Sequence, residues 1–454
     1  MVDDPMTLLV GPATVITLSG ERPVVEEGGV LIEGERVGAV GPYEELRAAH
    51  PEARLVNAAG GVVMPGLTNA HMHLYGLFAR GFDFGPPPPR SFRQVLERVW
   101  WRLDRALTRE AVRLCALYGL ADCLRCGVTA VNDHHASPGA IPGILDEIAG
   151  AATTLGVRVC LAYEVTDRHG PEGARAGIEE NVRFIEAAAS AGPLVAARFG
   201  LHASFTLSDE TLQACRRAAE GLGERFPGFH VHLAEGPEDP ADSLLRSGRR
   251  TVHRLAAAGI LGPRTFAAHA VHLDAEEVAL LSATGTVVTH QPHSNMANAV
   301  GWARILAMRE RGVRVALGTD GYTCDMLETL RTAAALHSHS TATPSAGVAD
   351  FTDILLRANP SLLSEVWGVV LGRLEPGAAA DLVVSSYRPP TPLTAENAAF
   401  HLFYGMSVAH VESVLVAGRP VMENRRIVGL DEAELAREAR RVASAVWARI
   451  EAGG

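Results

Sequence analysis

Residues 63–73 read VMPGLTNAHMH: an apolar start, a Pro-Gly break, and an end that carries two histidines one residue apart. The segment Val63–His73 is the first of eight strands that the chain predicts. The others are Gly127–Asp133, Arg158–Val165, Val195–Ala203, Phe229–Ala234, Phe266–Val271, Thr286–Pro292 and Val313–Asp320. Amphipathic Ala/Leu/Arg/Glu stretches of helical period lie between them. Most strand starts are about 20 to 40 residues apart, the length of one βα unit, and the longer first interval holds an insertion. Eight parallel strands with crossover helices predict a closed (β/α)8 barrel, with an open doubly wound sheet as the alternative.

The polar residues at the strand ends strengthen the barrel reading. In order they are His71 and His73, Asp133 with His134 and His135, Glu164, His202, His232, His269, His290 and Asp320. Barrel enzymes assemble their sites where the C-terminal strand ends converge on one mouth. Packing alone does not put a His or Asp at seven strand ends.

Working outward, residues 5–65 alternate short β-branched runs with Gly turns: LLVGPATVIT, GGVLIEGERVGAVG and ARLVNAAGGVVMPG. The pattern returns after the barrel in LGRLEPGAAADLVVSSY and VESVLVAGRPVMENRRIVG, followed by a charged helix from Asp431 to Glu451. Neither terminal segment alone can bury a sheet face, so the two are expected to form one β-rich lobe. The expected division is 1–64 and 372–454 for the lobe and 65–371 for the barrel.

At 454 residues, with 47% hydrophobic and 20% charged side chains, the chain reads as a globular protein. A net charge of -11 leaves no basic footprint for nucleic acid or an anionic membrane. Small molecules and copies of the chain itself, as a homo-oligomer, are the expected partners. The acidic start MVDDPMTLLV lacks the positive flank of a secretory leader, and no apolar run approaches the roughly 18 residues of a membrane span. A cytoplasmic enzyme is the expectation. The six cysteines are scattered, and the Cys123-x-x-Cys126 pair lies in a helical stretch with apolar neighbours, where it reads as packing. All 41 basic residues are Arg. Without a lysine, Schiff-base chemistry and a carboxylated-lysine bridge between two metals are both excluded.

His71 and His73 share one face of their strand, because strand side chains alternate with period 2, and both rings can reach one ion. The wider context points to a family. PGLTNAHMHL, HLAE at 232–235, AHAVHL at 268–273, GTDG at 318–321 and LEPGAAADLVV at 374–384 resemble, in order, the motifs of the amidohydrolase superfamily. Within it the chain is most similar to the chlorohydrolase and cytosine-deaminase-like branch. VWWRLDRALT, HHASP, GLHASFTLSDETL and GTDGYTCDM are similar to SsnA-type aminohydrolases of that branch. The resemblance implies one zinc held by His71, His73, His232 and Asp320. Three imidazoles and one carboxylate suit Zn2+, and Fe2+ or Mn2+ would also fit.

The expected chemistry is hydrolytic deamination of a small nitrogen heterocycle of purine, pyrimidine, pterin or triazine type. Asp320 would act as base toward a zinc-acidified water, Glu235 would protonate the ring nitrogen and then the departing amine, and His269 would hydrogen-bond the developing charge. Ring opening, dechlorination and a non-catalytic scaffold are the alternatives. A nitrogen leaving group needs the proton that Glu235 can supply, and halide does not.

The insertion Phe82–Ala106, with Pro86–Pro89, Phe92, Trp100 and Trp101, is the expected source of specificity. One tryptophan at most is expected in the pocket, since neighbours in sequence face apart. His202, Ser204, Asn295 and Tyr322 complete the expected substrate contacts. Gln291-Pro292 stands where relatives usually carry Asn-Pro, which puts a carried-over contact there in question. His230, of the same strand parity as His232 but without its following Glu, reads as a supporting core residue.

Overall fold

A computed structural model describes residues 7–20, 22–83 and 85–453. Its strands are β1 (Thr7–Ile16), β2 (Val24–Glu33), β3 (Arg36–Pro42), β4 (Arg54–Asn57), β5 (Val62–Pro65), β6 (Leu67–Met72), β7 (Val128–His135), β8 (Arg158–Tyr163), β9 (Val195–Ala197), β10 (Phe199–Ala203), β11 (Phe229–Leu233), β12 (Phe266–His269), β13 (Val287–His290), β14 (Arg314–Leu317), β15 (Leu382–Ser385), β16 (Val411–Val416), β17 (Arg419–Glu423) and β18 (Arg426–Ile427).

Strands β6–β9 and β10–β14 form two parallel sheets. Two seams join them into a ring. At one, Val165 bridges Leu201, with His202 N–H donating to Val165 O at 2.9 Å. At the other, Met72 bridges Asp320, and the amides of Thr319 and Asp320 both donate to His71 O at 3.0 Å. The fourth barrel strand is broken at Arg198 into β9 and β10, so eight barrel strands result.

The expected strand Val63–His73 is two strands. Val62–Pro65 belongs to the lobe and Leu67–Met72 to the barrel, with Gly66 between them. The reason is room: a Cβ on Gly66 would lie 2.3 Å from Thr129 Oγ1, so only Gly lets the chain pass that point. The continuous apolar run gave no sign of this.

Both termini do build one lobe. Its sheet runs β18-β17-β16-β15-β5-β1-β2-β3, with β4 paired to β1, so β5 and β15 join the two ends of the chain. The ion pair of Arg158 and Asp381, at 2.7 Å and almost wholly buried, ties the start of β8 to the start of β15. The terminal helix Glu432–Glu451 packs on the helix Arg109–Arg125. Its Trp447 donates to Phe78 O at 2.7 Å, and Arg102 from the insertion donates to Ile450 O at 2.6 Å. The C-terminus thereby steadies the segment that follows the first barrel strand. Cys123 is buried in the helix Arg109–Arg125 and every cysteine is a free thiol, as packing residues would be.

Asn359 closes the ring at its second seam. Its side chain accepts from Leu317 N at 2.7 Å and donates to Leu317 O and Thr68 O at 2.8 and 3.1 Å. Asn359→Ala strands three buried backbone groups at about 1–3 kcal/mol each. We expect a clear fall in the thermal midpoint, read by circular dichroism, with zinc content unchanged in the folded fraction.

Candidate metal centre and catalytic pocket

The mouth of the barrel gathers the strand-end residues within one ligand sphere. Four overlapping groups have ligand atoms within 4.8 Å of one another: His73, His134, Glu164 and His232; His71, His73 and Asp320; His71, His232 and His269; and Glu235, His269 and Asp320. His73 Nε2 lies 3.1 Å from His232 Nε2 and 3.3 Å from Asp320 Oδ1.

Hydrogen bonds on the far side of the rings determine which nitrogens face inward. His73 Nδ1 donates to His134 O at 2.5 Å and His232 Nδ1 to His202 O at 2.8 Å. Each Nε2 is therefore an unprotonated lone pair directed at the other, an arrangement that a cation between them relieves. His71 Nδ1 meets His230 Nε2 at 2.8 Å, while the buried Nε2 of His71 has no partner among the described residues. Burial, with neighbouring imidazoles, lowers His71 and His232 well below the usual histidine range, so both are neutral donors at pH 7. The donor set and its orphaned lone pairs fit a single zinc. His230 holds the ring of His71 from behind, the supporting place expected of it.

Glu235 borders this centre, grouped with His269 and Asp320. Its Oε2 is 3.3 Å from His269 Nε2, which is 3.7 Å from Asp320 Oδ2. Burial and then repulsion from Asp320 push the Glu235 carboxyl well above its usual range. Asn298 Nδ2 donates to Glu235 Oε1 at 3.3 Å and Tyr322 OH donates to Asn298 Oδ1 at 3.0 Å. His269 Nδ1 donates to Asn295 Oδ1 at 2.9 Å. The backbone at Ala234, His269, Ala270 and Asp320 has positive φ (46°, 76°, 53° and 59°), a conformation costly for residues with a Cβ.

The pocket above the centre is lined by Phe92, Leu96, Trp100, Trp101, Phe205 and the residues of the centre itself, with Glu164, Arg168 and His202 along one wall. Both tryptophans line it, against the expectation of one. They sit in a helix with a π turn at Leu96–Trp100, where neighbours are about 100° apart and not opposed as in a strand. Trp100 packs over Gly76 and Gly321, whose added Cβ atoms would meet its ring at 3.1 and 3.0 Å.

Two further expectations need correction. Ser204 is fully buried, and its hydroxyl accepts from Arg254 at 2.9 Å, outside the pocket; the chain turns into a short 3-10 helix there and carries the side chain away. Asn295 holds His269 and does not line the cavity. His202 is in the wall, and Tyr322 reaches the site only through Asn298. Gln291 is also supporting: it accepts from His269 N at 2.9 Å and donates to Thr289 Oγ1 at 2.7 Å. Arg168, Ser294 and Asn298 are pocket residues that no motif announced, although Arg168 stands four residues after the strand-end Glu164.

An (β/α)8 barrel with a histidine and carboxylate centre at its mouth defines a metal-dependent hydrolase. The chain belongs to the amidohydrolase family, whose model matches residues 62–421, and residues 28–53 match an imidazolonepropionase-like composite domain of bacteria. It is 34% identical over 434 residues to a 5-methylthioadenosine/S-adenosylhomocysteine deaminase of Nitratidesulfovibrio vulgaris, covering 94% of each chain. It is 30% identical over 448 residues to a 5'-deoxyadenosine deaminase of Methanosarcina mazei, covering 98% of this chain and 99% of the relative. An adenosine deaminase from Xanthomonas campestris with bound zinc superposes at a TM-score of 0.80 and 25% identity, over 98% and 99% of the two chains. An atrazine chlorohydrolase from Arthrobacter aurescens TC1 complexed with zinc shares the fold at a TM-score of 0.80 and 24% identity, over 96% and 100%. Among the described residues, no helix is long and apolar enough to cross a membrane.

Proposed function

We propose that the protein is a zinc-dependent aminohydrolase that removes an exocyclic amine from a small aminoheterocycle. The observation that carries this reading is the buried Glu235 carboxyl, its Oε2 3.3 Å from His269 Nε2 and grouped with His269 and Asp320, where burial and Asp320 favour its protonated form. A nitrogen leaving group departs only when protonated, and this carboxyl is placed to supply that proton. The full-length relatives are named as deaminases of adenine nucleosides, which favours exocyclic amine loss over ring opening.

His71, His73, His232 and Asp320 would hold the zinc, which supplies Lewis acidity and brings the pKa of water down to about 7. Asp320 takes a proton from the attacking water. Glu235 gives its proton to the ring nitrogen beside the attacked carbon, then takes the remaining hydroxyl proton and hands it to the departing amine, and the proton held by Asp320 returns to Glu235 to close the cycle. His269, fixed by Asn295, hydrogen-bonds the developing charge. The aromatic side chains Trp100, Trp101 and Phe92 exclude water and cover the ring plane.

An ammonia-release screen of the zinc-loaded enzyme over aminopurines, aminopyrimidines, pterins and aminotriazines, read with product mass, tests the proposal. Replacement of NH by O is the expected mass change. Addition of water without ammonia would establish ring opening in its place. Asn295→Ala tests the supporting part: the zinc stays, and turnover falls roughly 10–100-fold because His269 loses the acceptor that orients it.

A further inference from the structure

Three sulfur atoms from distant parts of the chain meet outside the ring of barrel strands. Met72 stands between His71 and His73 and, because strand side chains alternate, points away from them toward the helix Arg109–Arg125. There the Cys123 thiol donates to Met72 Sδ at 3.9 Å. Cys324, four residues beyond Asp320, brings a second thiol into direct interaction with that of Cys123 and donates to Gly119 O at 3.8 Å. All three side chains are buried. Sequence spacing offered the Cys123 region no further ligand, and the fold supplies two.

The spacing is that of a ligand set. At the roughly 2.3 Å of a metal–thiolate bond, two sulfurs on one ion lie about 3.8–4.0 Å apart. The Cys123–Met72 separation of 3.9 Å falls in that span. The described His, Asp and Glu residues form no ligand group with these thiols, so the donors are sulfur alone. Zinc takes its ligands from Cys, His and carboxylate, usually four of them, whereas thiolate together with thioether selects Cu(I).

Arg80 adds an independent sign. Its Nη1 donates to Asp122 Oδ2 at 2.8 Å, and the guanidinium also hydrogen-bonds the Cys324 sulfur. Two thiolates around one Cu(I) carry net negative charge, which is costly to bury without a partner of opposite sign. Arg80 sets a positive charge against it. The Arg80 side chain is half exposed, so the cluster has a path to solvent by which an ion can enter.

We infer that Cys123, Cys324 and Met72 form a second metal site, separate from the zinc centre, that takes one Cu(I) ion. Cys123 and Cys324 each release a proton to solvent as their metal–sulfur bonds form, Met72 adds a thioether lone pair, and no electron is transferred. The site lies behind the segments that carry His71, His73 and Asp320 and shares none of these residues, so copper and zinc bind together. The inference stands apart from the aminohydrolase reading, since it uses no residue of the catalytic pocket.

The test titrates the zinc-loaded protein anaerobically with Cu(I), supplied as its bicinchoninate complex, and counts both metals after gel filtration. One Cu(I) per chain beside an unchanged zinc content is the expected result, with an X-ray absorption spectrum that shows three sulfur ligands and no others. Met72→Leu should lower that sulfur count to two. Removing an outer partner of a metal site costs roughly 10–100-fold in affinity, the loss expected for Arg80→Met, and Cys324→Ser should lose more. Cys215→Ala, which removes a buried thiol elsewhere, should leave copper binding unchanged. Absence of retained copper, copper gained only as zinc leaves, nitrogen or oxygen ligands in the spectrum, a disulfide formed in place of uptake, or unaltered affinity in Cys324→Ser would overturn the inference. The metal count and the spectrum of the wild type decide the matter even where a variant fails to fold.

Discussion

Glu235→Gln retains its zinc and loses about 10²–10⁴ in kcat/KM, the range ascribed to a positioned acid/base. The substitution preserves volume and keeps an oxygen for Asn298, which donates to Glu235 at 3.3 Å, so the pocket has no reason to collapse. The ability to give and retake a proton is lost. Burial and the adjacent Asp320 raise its pKa, which favours the protonated form over that of an exposed glutamate. Zinc analysis of the purified variant beside steady-state kinetics checks the expectation. Near-normal turnover at full zinc occupancy would remove Glu235 from the mechanism, and loss of zinc would make it structural.

The second large effect is on stability. Asp381 receives Arg158 Nε at 2.7 Å and Nη2 at 3.1 Å, and also accepts from Ala417 N at 2.8 Å, all inside the junction of barrel and lobe. Asp381→Ala leaves a guanidinium and an amide buried and unpaired, at a cost of about 3–5 kcal/mol. Denaturant titration of the wild type and the variant checks it. The double variant Arg158→Met with Asp381→Leu should recover much of the loss, because it is the unpaired charge that is costly and the pair itself contributes little. A single variant within about 0.5 kcal/mol of wild type would mean that water reaches the junction.

How far the site was legible follows from the kind of signal each residue leaves. His71, His73, His232, His269 and Asp320 stand at strand ends, and the βα rhythm alone brings such ends to one mouth. Glu235 could be named because it stands in the HLAE motif at 232–235 that carries the family resemblance. Arg168, Ser294 and Asn298 sit in helices or turns beyond the strand ends, where sequence spacing does not say which way a side chain points. Ser204 and Asn295 were misplaced for the same reason, and the tryptophan pair was misjudged because strand alternation was applied to a helix.

The split at Gly66 is of a similar kind. Nothing in VMPGLTNAHMH distinguishes a strand that serves two sheets from one that serves a single sheet. The decision belongs to Thr129, which crowds Gly66 from another strand.

The order of strands and helices, the histidine-rich mouth, the joining of the termini in one lobe and the exclusion of a lysine bridge were all determined by the sequence itself, because periodicity, turn residues and composition are local properties of the chain. Tertiary structure decided which ring nitrogens face the metal, that burial beside Asp320 raises the pKa of Glu235, and that Glu164, His202 and Arg168 line one cavity. Those facts depend on distances between segments up to 249 residues apart, as His71 and Asp320 are (320 − 71), and on the burial those segments give one another.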